Sequence, residues 1–386
     1  MPDSLSYVMV TPYTVAKSRT GGVLARLLSQ LDLELVGAQL FAPDEAFAKE
    51  YAAALRFQNM SSDSVTLLAD YTEARLAPSG GRKHRTLLLL FKGENPCEKL
   101  GNICGHIFPE HIGDESLAGE TIRDTYADLI IEPDTAQVNY FEPAVMTPRV
   151  QKWADRDLAL FSSYLDGKEN IVNNVEYADP SKIERTLVII KPDNWQYASS
   201  RPGSIIDMFS RTGLRIIGIK VHRFTLEQAL DFYGPVEAAL KNKLAPVFGK
   251  KAKETLEKEF SLALSEHTEK SLVETFGVEY AYDQFAQIVG FMSGIRPDDS
   301  AAVCKPVKCM ILIYEGIDAV KKIRDVLGPT DPLKAPGGTV RREFGSNVMV
   351  NTAHASDSPE SVVRESAIVK VNENTLKSII DEYLEH

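Results

Sequence analysis

Residues 202–221 read PGSIIDMFSRTGLRIIGIKV, and residues 21–40 read GGVLARLLSQLDLELVGAQL. Gly22 and Gly203, Ser29 and Ser210, and Gly37 and Gly218 are each 181 positions apart, a self-similarity that composition does not produce. Within the later stretch, apolar residues at helical spacing (Ile205, Ile206, Phe209) give way after Thr212-Gly213 to a β-branched run, Leu214 to Val221. Upstream, SYVMVTP (Ser6 to Pro12) and RTLVIIKP (Arg185 to Pro192) are short β-rich runs stopped by a proline, as a strand running into a loop would be. The repeated unit therefore begins strand, helix, strand. Further on, RTLLLLFKG (Arg85 to Gly93) recurs as KCMILIYEG (Lys308 to Gly316), and LAGETIRDTY (Leu117 to Tyr126) as APGGTVRREF (Ala335 to Phe344). Offsets of 223 and then 218 place extra residues in the second copy, between Val221 and Lys308.

That extra segment, about 234–306, starts with a Lys/Glu-rich stretch carrying leucines at helical spacing, and it predicts an inserted pair of helices. Alternating charges on such a helix usually face water, although its lysines are also placed to meet a ligand or partner. Between the copies, residues 149–182 begin with helix-forming character and end in the patch NIVNNVEYADP, which reads as a short helix and a linker. The expected organisation is a first domain over 1–148, a linker over 149–182 and a second domain over 183–386 with its helical insertion.

Bulk properties exclude several classes. At 386 residues the chain is too long for one ordinary core, and two domains are the default. Hydrophobic residues at 44% and charged residues at 25% fit a soluble protein, and no apolar run is long enough to span a bilayer. MPDSLSYVMV carries an acid at Asp3 and no basic region, so it reads as a first strand rather than a secretory signal. Four cysteines (Cys97, Cys104, Cys304, Cys309) suit free thiols in a reducing cytoplasm better than a disulfide framework, and the Cys304–Cys309 spacing lacks the second ligand pair of a zinc site. A net charge of −11 opposes a bulk grip on nucleic acid but leaves room for a local basic pocket that takes small phosphates.

Neither G-x-x-x-x-G-K-[ST] nor G-x-G-x-x-G is present, which disfavours a P-loop kinase or a Rossmann enzyme. The second copy instead spreads cations and hydroxyls over loops that follow strands: Lys191 in IKPD, Arg324 and Thr330 in IRDVLGPTDP, Arg341 in GGTVRREF, and then NTAHASDSPESVVRE. An imidazole is a competent phosphoryl acceptor near neutral pH, because much of it is unprotonated and it needs no separate base. His354 would need an orienting acceptor on its other ring nitrogen. Glu365, eleven residues on and beyond a helix-start signature, is placed to fold back as that acceptor.

The order IKPD, Arg-x-x-x-Gly-x-Thr-x-Pro, GGTVRxxF and N-x-x-H-x-S-D-S-x-E resembles the nucleoside-diphosphate kinase family, from Glu184 to about Glu365 less the insertion. The resemblance implies a ferredoxin-like α/β sandwich in each copy: a four-stranded antiparallel sheet with helices packed on it, and a nucleotide site between loops. Carried over by position, His354 would be the phosphorylated nucleophile, and Lys191 would hold the γ-phosphate and stabilise its charge. Tyr233 would sit beside both, Arg324 and Arg341 would clamp phosphates, and Thr330 would donate to one. Asn351 would bind the sugar hydroxyl with Lys191, while Ser356 and Glu365 would orient the ring. Phosphoryl transfer is work of this kind, positioning groups and neutralising oxygens around an in-line displacement. Magnesium would arrive with the nucleotide, and ATP and GDP are representative substrates.

Three positions depart from the family pattern. Ala355 follows the histidine where glycine is usual, the loop DNWQYASSRPGS is two residues longer and has Asn194 at a common glycine, and the base-stacking phenylalanine aligns with Gln284 or Phe285. The first copy departs further: Thr11 stands for Lys191, Gly101 for Arg324, and VNYFEPAVMTP puts Glu142 at the place of His354, with only Arg123 persisting. It reads as a catalytically dead copy that packs on the active one as a covalent pseudo-dimer partner, with a retained but altered ligand site as the alternative. For the whole chain, the rivals to nucleoside-diphosphate kinase turnover are a nucleotide-binding regulatory protein and phosphoryl transfer from His354 to a protein.

Overall fold

The computed structural model describes residues 3–58, 62–107, 120–134, 137–173, 177–300 and 304–385. The start of the LAGETIRDTY match, part of the linker around residue 175 and the last turn of the expected insertion at 301–303 lie outside the described residues. In the first copy the chain runs through β1 (Ser4–Val10), α1 (Pro12–Ala16), α2 (Thr20–Gln30), β2 (Glu34–Phe41), α3 (Glu45–Arg56) and α4 (Ser62–Arg75). It continues with β3 (Thr86–Gly93), α5 (Pro96–Cys104), α6 (Ile122–Tyr126), β4 (Asp128–Ile131), β5 (Val138–Glu142) and β6 (Val145–Met146). After α7 (Gln151–Leu165) the second copy supplies β7 (Ile183–Ile190), α8 (Arg201–Ser210), β8 (Arg215–His222), α9 (Leu226–Phe260), α10 (Glu266–Leu272) and α11 (Val278–Ser293). It ends with β9 (Cys309–Ile317), α12 (Ala319–Leu327), α13 (Val340–Phe344), β10 (Ala353–Ala355), α14 (Pro359–Ile368) and α15 (Leu376–Leu384).

The two main sheets have the strand orders β2-β3-β1-β6 and β10-β7-β9-β8. Both are the second-third-first-fourth order of a ferredoxin-like βαββαβ unit, and the central strands pair antiparallel, β1 with β3 and β7 with β9. The central strands are covered on both faces, which is why VMV and LVII read as continuous apolar runs rather than alternating ones. Correspondence between the copies extends to backbone detail. Gly93 and Gly316 lie at or next to the ends of their strands at φ 153 and 156, Asn95 and Asp318 precede the next helices at φ 51 and 54, and Gly105 and Gly328 close those helices at φ 84 and 83.

Two compact units partition the chain: 1–221 with 310–363 and 370–386, and 222–309 with 364–369. The first holds both sheets in one continuous hydrophobic core, running from Val8 and Leu89 through Val188 and Leu312. Within it α2 and α8 pack backbone to backbone. A Cβ on Gly21 would lie 2.6 Å from the Gly203 carbonyl oxygen, and one on Gly203 would lie 2.1 Å from the Ala25 nitrogen. Glycine at these positions is thus a requirement of close helix approach.

The second unit is built on a helical hairpin. A Thr225–Gln228 capping box starts α9, which runs unbroken for 35 residues through Pro235 and Pro246. The expected insertion boundary at 234 therefore falls inside one helix, and the prolines left no chain break to mark it. A π-helical turn, Val273–Gly277, joins α10 to α11 and lets the hairpin close tightly, since a Cβ on Gly277 would meet the Ala245 carbonyl oxygen at 2.3 Å. No helix among the described residues is long and apolar enough to cross a membrane.

Candidate active site

Lys191, Asn351, His354 and Ser356 lie at the adjoining ends of β7 and β10. β7 leads directly into Lys191, whose backbone nitrogen donates to the Thr352 carbonyl at 2.9 Å. Beyond Thr352 the chain enters β10 antiparallel to β7, with Ala353 opposite Ile190, His354 opposite Ile189 and Ala355 opposite Val188. The Ser356 nitrogen continues the ladder by donating to the Leu187 carbonyl at 3.1 Å. Thr352 itself sits at φ 75, the left-handed region that costs a β-branched residue about 1–3 kcal/mol and that collects at functional sites. Ala355 is buried in ordinary strand pairing, so the usual glycine is not needed there for backbone reasons.

Lys191 is buried, and its Nζ donates to Asn351 Oδ1 at 2.7 Å. Burial pushes the ammonium down to about 8, the positive Arg341 guanidinium pushes the same way, and Asp193 opposes them. A cation kept in so poorly solvated a place is poised for an anion. The Asn351 amide is engaged on its other side as well, donating from Nδ2 to the Val348 carbonyl at 2.7 Å and the Thr330 carbonyl at 3.4 Å. Thr330 and Arg324 are exposed. Arg324 extends toward the acid that follows the histidine: Asp357 is held below the usual carboxylate range chiefly by the Ser361 hydroxyl, with smaller help from Arg324 and His354. His354 is half-buried, while Ser356 is completely buried.

Arg341 is engaged by backbone. Its Nη1 donates to the Gly328 carbonyl at 2.9 Å and its Nη2 to the Ala353 carbonyl at 3.1 Å, joining the end of α12 to the residue before His354. In the first copy Arg123 makes the same pair of bonds, from Nη1 to the Gly105 carbonyl and from Nη2 to the Val145 carbonyl. The one cation that persists in the degenerate copy therefore persists as a clamp on the last strand.

This equivalence also corrects the expected counterpart of His354. In β6 Val145 pairs with Val10 and Met146 with Met9, as Ala353 pairs with Ile190 and His354 with Ile189. Met146, not Glu142, occupies the histidine's place, and Pro143 occupies that of Asn351. Ten extra residues cause the displacement, for Arg123 to Ala144 spans 21 positions and Arg341 to Thr352 spans 11. They fold as the β4–β5 hairpin, whose limits have no sharp mark in the sequence. Glu142 ends that hairpin, its carboxyl raised above the ordinary value chiefly by burial.

Sequence reasoning passed over the loop after Lys191. Asn194, marked only as a missing glycine, donates from Nδ2 to both the Lys191 carbonyl at 3.0 Å and the Thr352 carbonyl at 2.8 Å. It ties together the two strand ends that carry Lys191 and His354. Arg201 reinforces the loop, donating to the Phe344 carbonyl at 2.7 Å and lying 3.7 Å from Asp193. An Asx side chain just after a strand was the available signal, since Asn commonly caps and bridges turns.

Tyr233 and Glu365 belong to the second compact unit. Tyr233 is buried on α9 with its ring 5.0 Å from that of Phe232, and Glu365 is buried on α14 with Oε1 3.4 Å from Arg364 Nη2. Arg364 in turn donates to the Asp231 and Phe232 carbonyls at 3.1 and 3.2 Å, which binds α14 to the start of α9. Of the two residues aligned with the base-stacking phenylalanine, Phe285 is buried on α11 and Gln284 is half-exposed.

A family profile described as "Nucleoside diphosphate kinase" matches residues 184–240 and 264–374. The nucleoside diphosphate kinase of Halorhodospira halophila is 30% identical over 183 residues, covering 47% of this chain and 89% of that protein. That of Bdellovibrio bacteriovorus is 33% identical over 186 residues, covering 48% and 92%. Among solved structures, the Aquifex aeolicus nucleoside diphosphate kinase is 27% identical, covering 50% of this chain and 98% of that one, with a TM-score of 0.31.

Proposed function

The chain belongs to the nucleoside diphosphate kinase family, and on that premise we propose that it moves the γ-phosphoryl group of a nucleoside triphosphate to a nucleoside diphosphate through a phosphohistidine at His354. The observation that carries this reading is the antiparallel pairing of β7 with β10, which sets the buried Lys191 ammonium and the His354 imidazole on neighbouring strand ends. In the first half-reaction an unprotonated ring nitrogen attacks the γ-phosphorus in line, the bond to the bridging oxygen breaks, and the diphosphate leaves. The second half-reaction reverses this with another diphosphate. Lys191 neutralises the equatorial oxygens as charge spreads over them, a role suited to a cation already stripped of water. Arg324 and Thr330, exposed at the edge of the site, bind the remaining phosphates. Asn351 positions Lys191 and meets the sugar hydroxyl, and Arg341 holds the strand under the histidine. Ser356, completely buried two residues on from His354, takes a ring-orienting role. Magnesium comes with the nucleotide, whose phosphate oxygens are its natural hard ligands. ATP and GDP serve as donor and acceptor, and the first copy, with Thr11, Pro143 and Met146 at the key places, performs no transfer.

Brief incubation with γ-labelled ATP tests this. Expected is an acid-labile, alkali-stable label on the protein, absent in His354→Ala and discharged rapidly by GDP. An unlabelled wild-type protein would sink the proposal. A label that GDP cannot remove would favour transfer from His354 to a protein instead.

A further inference from the structure

Within the first compact unit a cavity of about 440 Å³ opens where the two copies meet, away from Lys191 and His354. That volume lies in the range of small-molecule sites. Its lining mixes two kinds of residue. Arg82, Lys83, His84 and Arg85 come from the first copy and Arg215 from the second, with no carboxylate among the lining residues, in a protein whose net charge is −11. Val15, Leu40, Leu87, Ile206 and Ile219 supply apolar wall. Tyr314 also lines the cavity. It is only 1% exposed, and among the described residues its hydroxyl has no hydrogen-bond partner.

Gathering like charges in a partly desolvated space is unfavourable unless a counter-ion compensates. Arg85 records that cost: burial lowers its guanidinium, and the charge of Arg215 lowers it further. Internal compensation is partial. Arg85 donates to the Ile216 carbonyl and Arg215 stacks on the Tyr177 ring at 5.0 Å, while the nearby Glu315 is committed to Arg185 at 2.8 Å and to the Tyr177 hydroxyl at 3.1 Å. Arg82 and Arg215 are both exposed, so their guanidiniums are open to an incoming ligand.

We propose that this cavity is a second, non-catalytic site for a small phosphate-bearing molecule with an apolar or aromatic body, a nucleoside diphosphate being the representative case. The phosphates lie against Arg82, Arg85 and Arg215, and the body lies along the apolar wall, where the Tyr314 hydroxyl meets a polar atom. Because the walls come from both copies, the ligand bridges the degenerate copy to the active one, which gives the first copy a purpose beyond packing.

Equilibrium dialysis of the full chain against labelled ADP tests the site. Wild type should bind one equivalent more than the Arg82→Ala/Arg215→Ala double variant, while the two proteins unfold at the same temperature and take up label from γ-labelled ATP at the same initial rate. The extra equivalent should be displaced by tripolyphosphate and not by adenosine. Arg82→Ala alone, on an exposed loop, should weaken that equivalent about tenfold, as expected for one charge-assisted contact. Equal stoichiometry in wild type and the double variant would overturn the proposal, and so would displacement by adenosine alone. Loss of the catalytic site through His354 and Lys191 substitutions leaves the extra equivalent in place, so the two sites are separable.

Discussion

Replacing Lys191 with methionine should make the protein more stable near neutral pH while removing its phosphoryl transfer. Burial brings this lysine from its ordinary 10.5 to about 8, and at about 1.4 kcal/mol per pH unit the charged form costs the folded state about 3 kcal/mol. Against this stands the 2.7 Å bond from Nζ to Asn351, a charge-assisted contact worth about 2 kcal/mol, which methionine removes. The variant should therefore be about 1 kcal/mol more stable at pH 7.5. The pH dependence is the sharper signature. Between pH 8 and 10.5 the unfolded lysine keeps a proton that the folded one has released, so wild-type stability rises with pH in that window. Below pH 8 both states are protonated and the cost is present in full. Urea unfolding of both proteins should show wild type gaining about 2 kcal/mol on Lys191→Met between pH 7.5 and 10. Comparing the pair cancels the titrating groups that lie far from Lys191. Parallel curves, or a variant less stable at pH 7.5, would refute the reasoning that this site stores unfavourable burial of charge for use on a phosphate.

The same lysine predicts that kcat/KM falls as pH rises through about 8, where the free protein loses the Lys191 proton; a profile flat to pH 9.5 would count against its role. Arg123→Met should cost about 3 kcal/mol in chemical denaturation, because it strips two buried carbonyls of a charged donor, and Arg341→Met, which removes two partly buried bonds, about 2 kcal/mol, yet only Arg341→Met should slow transfer. Unchanged stability in either would remove the strand-clamp assignment. Asn194→Gly, which restores the family's usual residue, should lose about 2 kcal/mol and raise KM, since two backbone ties between the strand ends disappear; an unaltered KM would show that the loop holds without them.

The repeat was legible because spacing survives where identity does not. Offsets of 181 and 223 correspond to equivalent helices, α2 and α8, and equivalent strands, β3 and β9, and Gly93 and Gly316 take the same positive φ near the ends of those strands. The last strand of the first copy was not legible in register. It is two residues long, and the hairpin before it slid the reading by four positions, from Met146 to Glu142. The insertion's start was hidden for a related reason: proline normally signals a break, but α9 accommodates two of them.

At the site, residue type and order were readable along the chain: a histidine, a lysine, two arginines, a threonine and an asparagine in a spacing shared with one kinase family, although Arg324 and Arg341, expected on loops, lie in α12 and α13 and His354 lies in β10. Order along a chain reports chemistry here because the fold sets these residues on the adjoining ends of β7 and β10 and on α12 and α13, with α12 packed against both strands. What the order does not encode is what each side chain faces once the strands pair. Only the tertiary structure decided that Arg341 holds backbone carbonyls, that Asn194 stitches Lys191 to Thr352, and that Arg82, Arg85 and Arg215, up to 133 positions apart, share one cavity. Those are properties of distance and desolvation, which arise only when the two copies close on a common core.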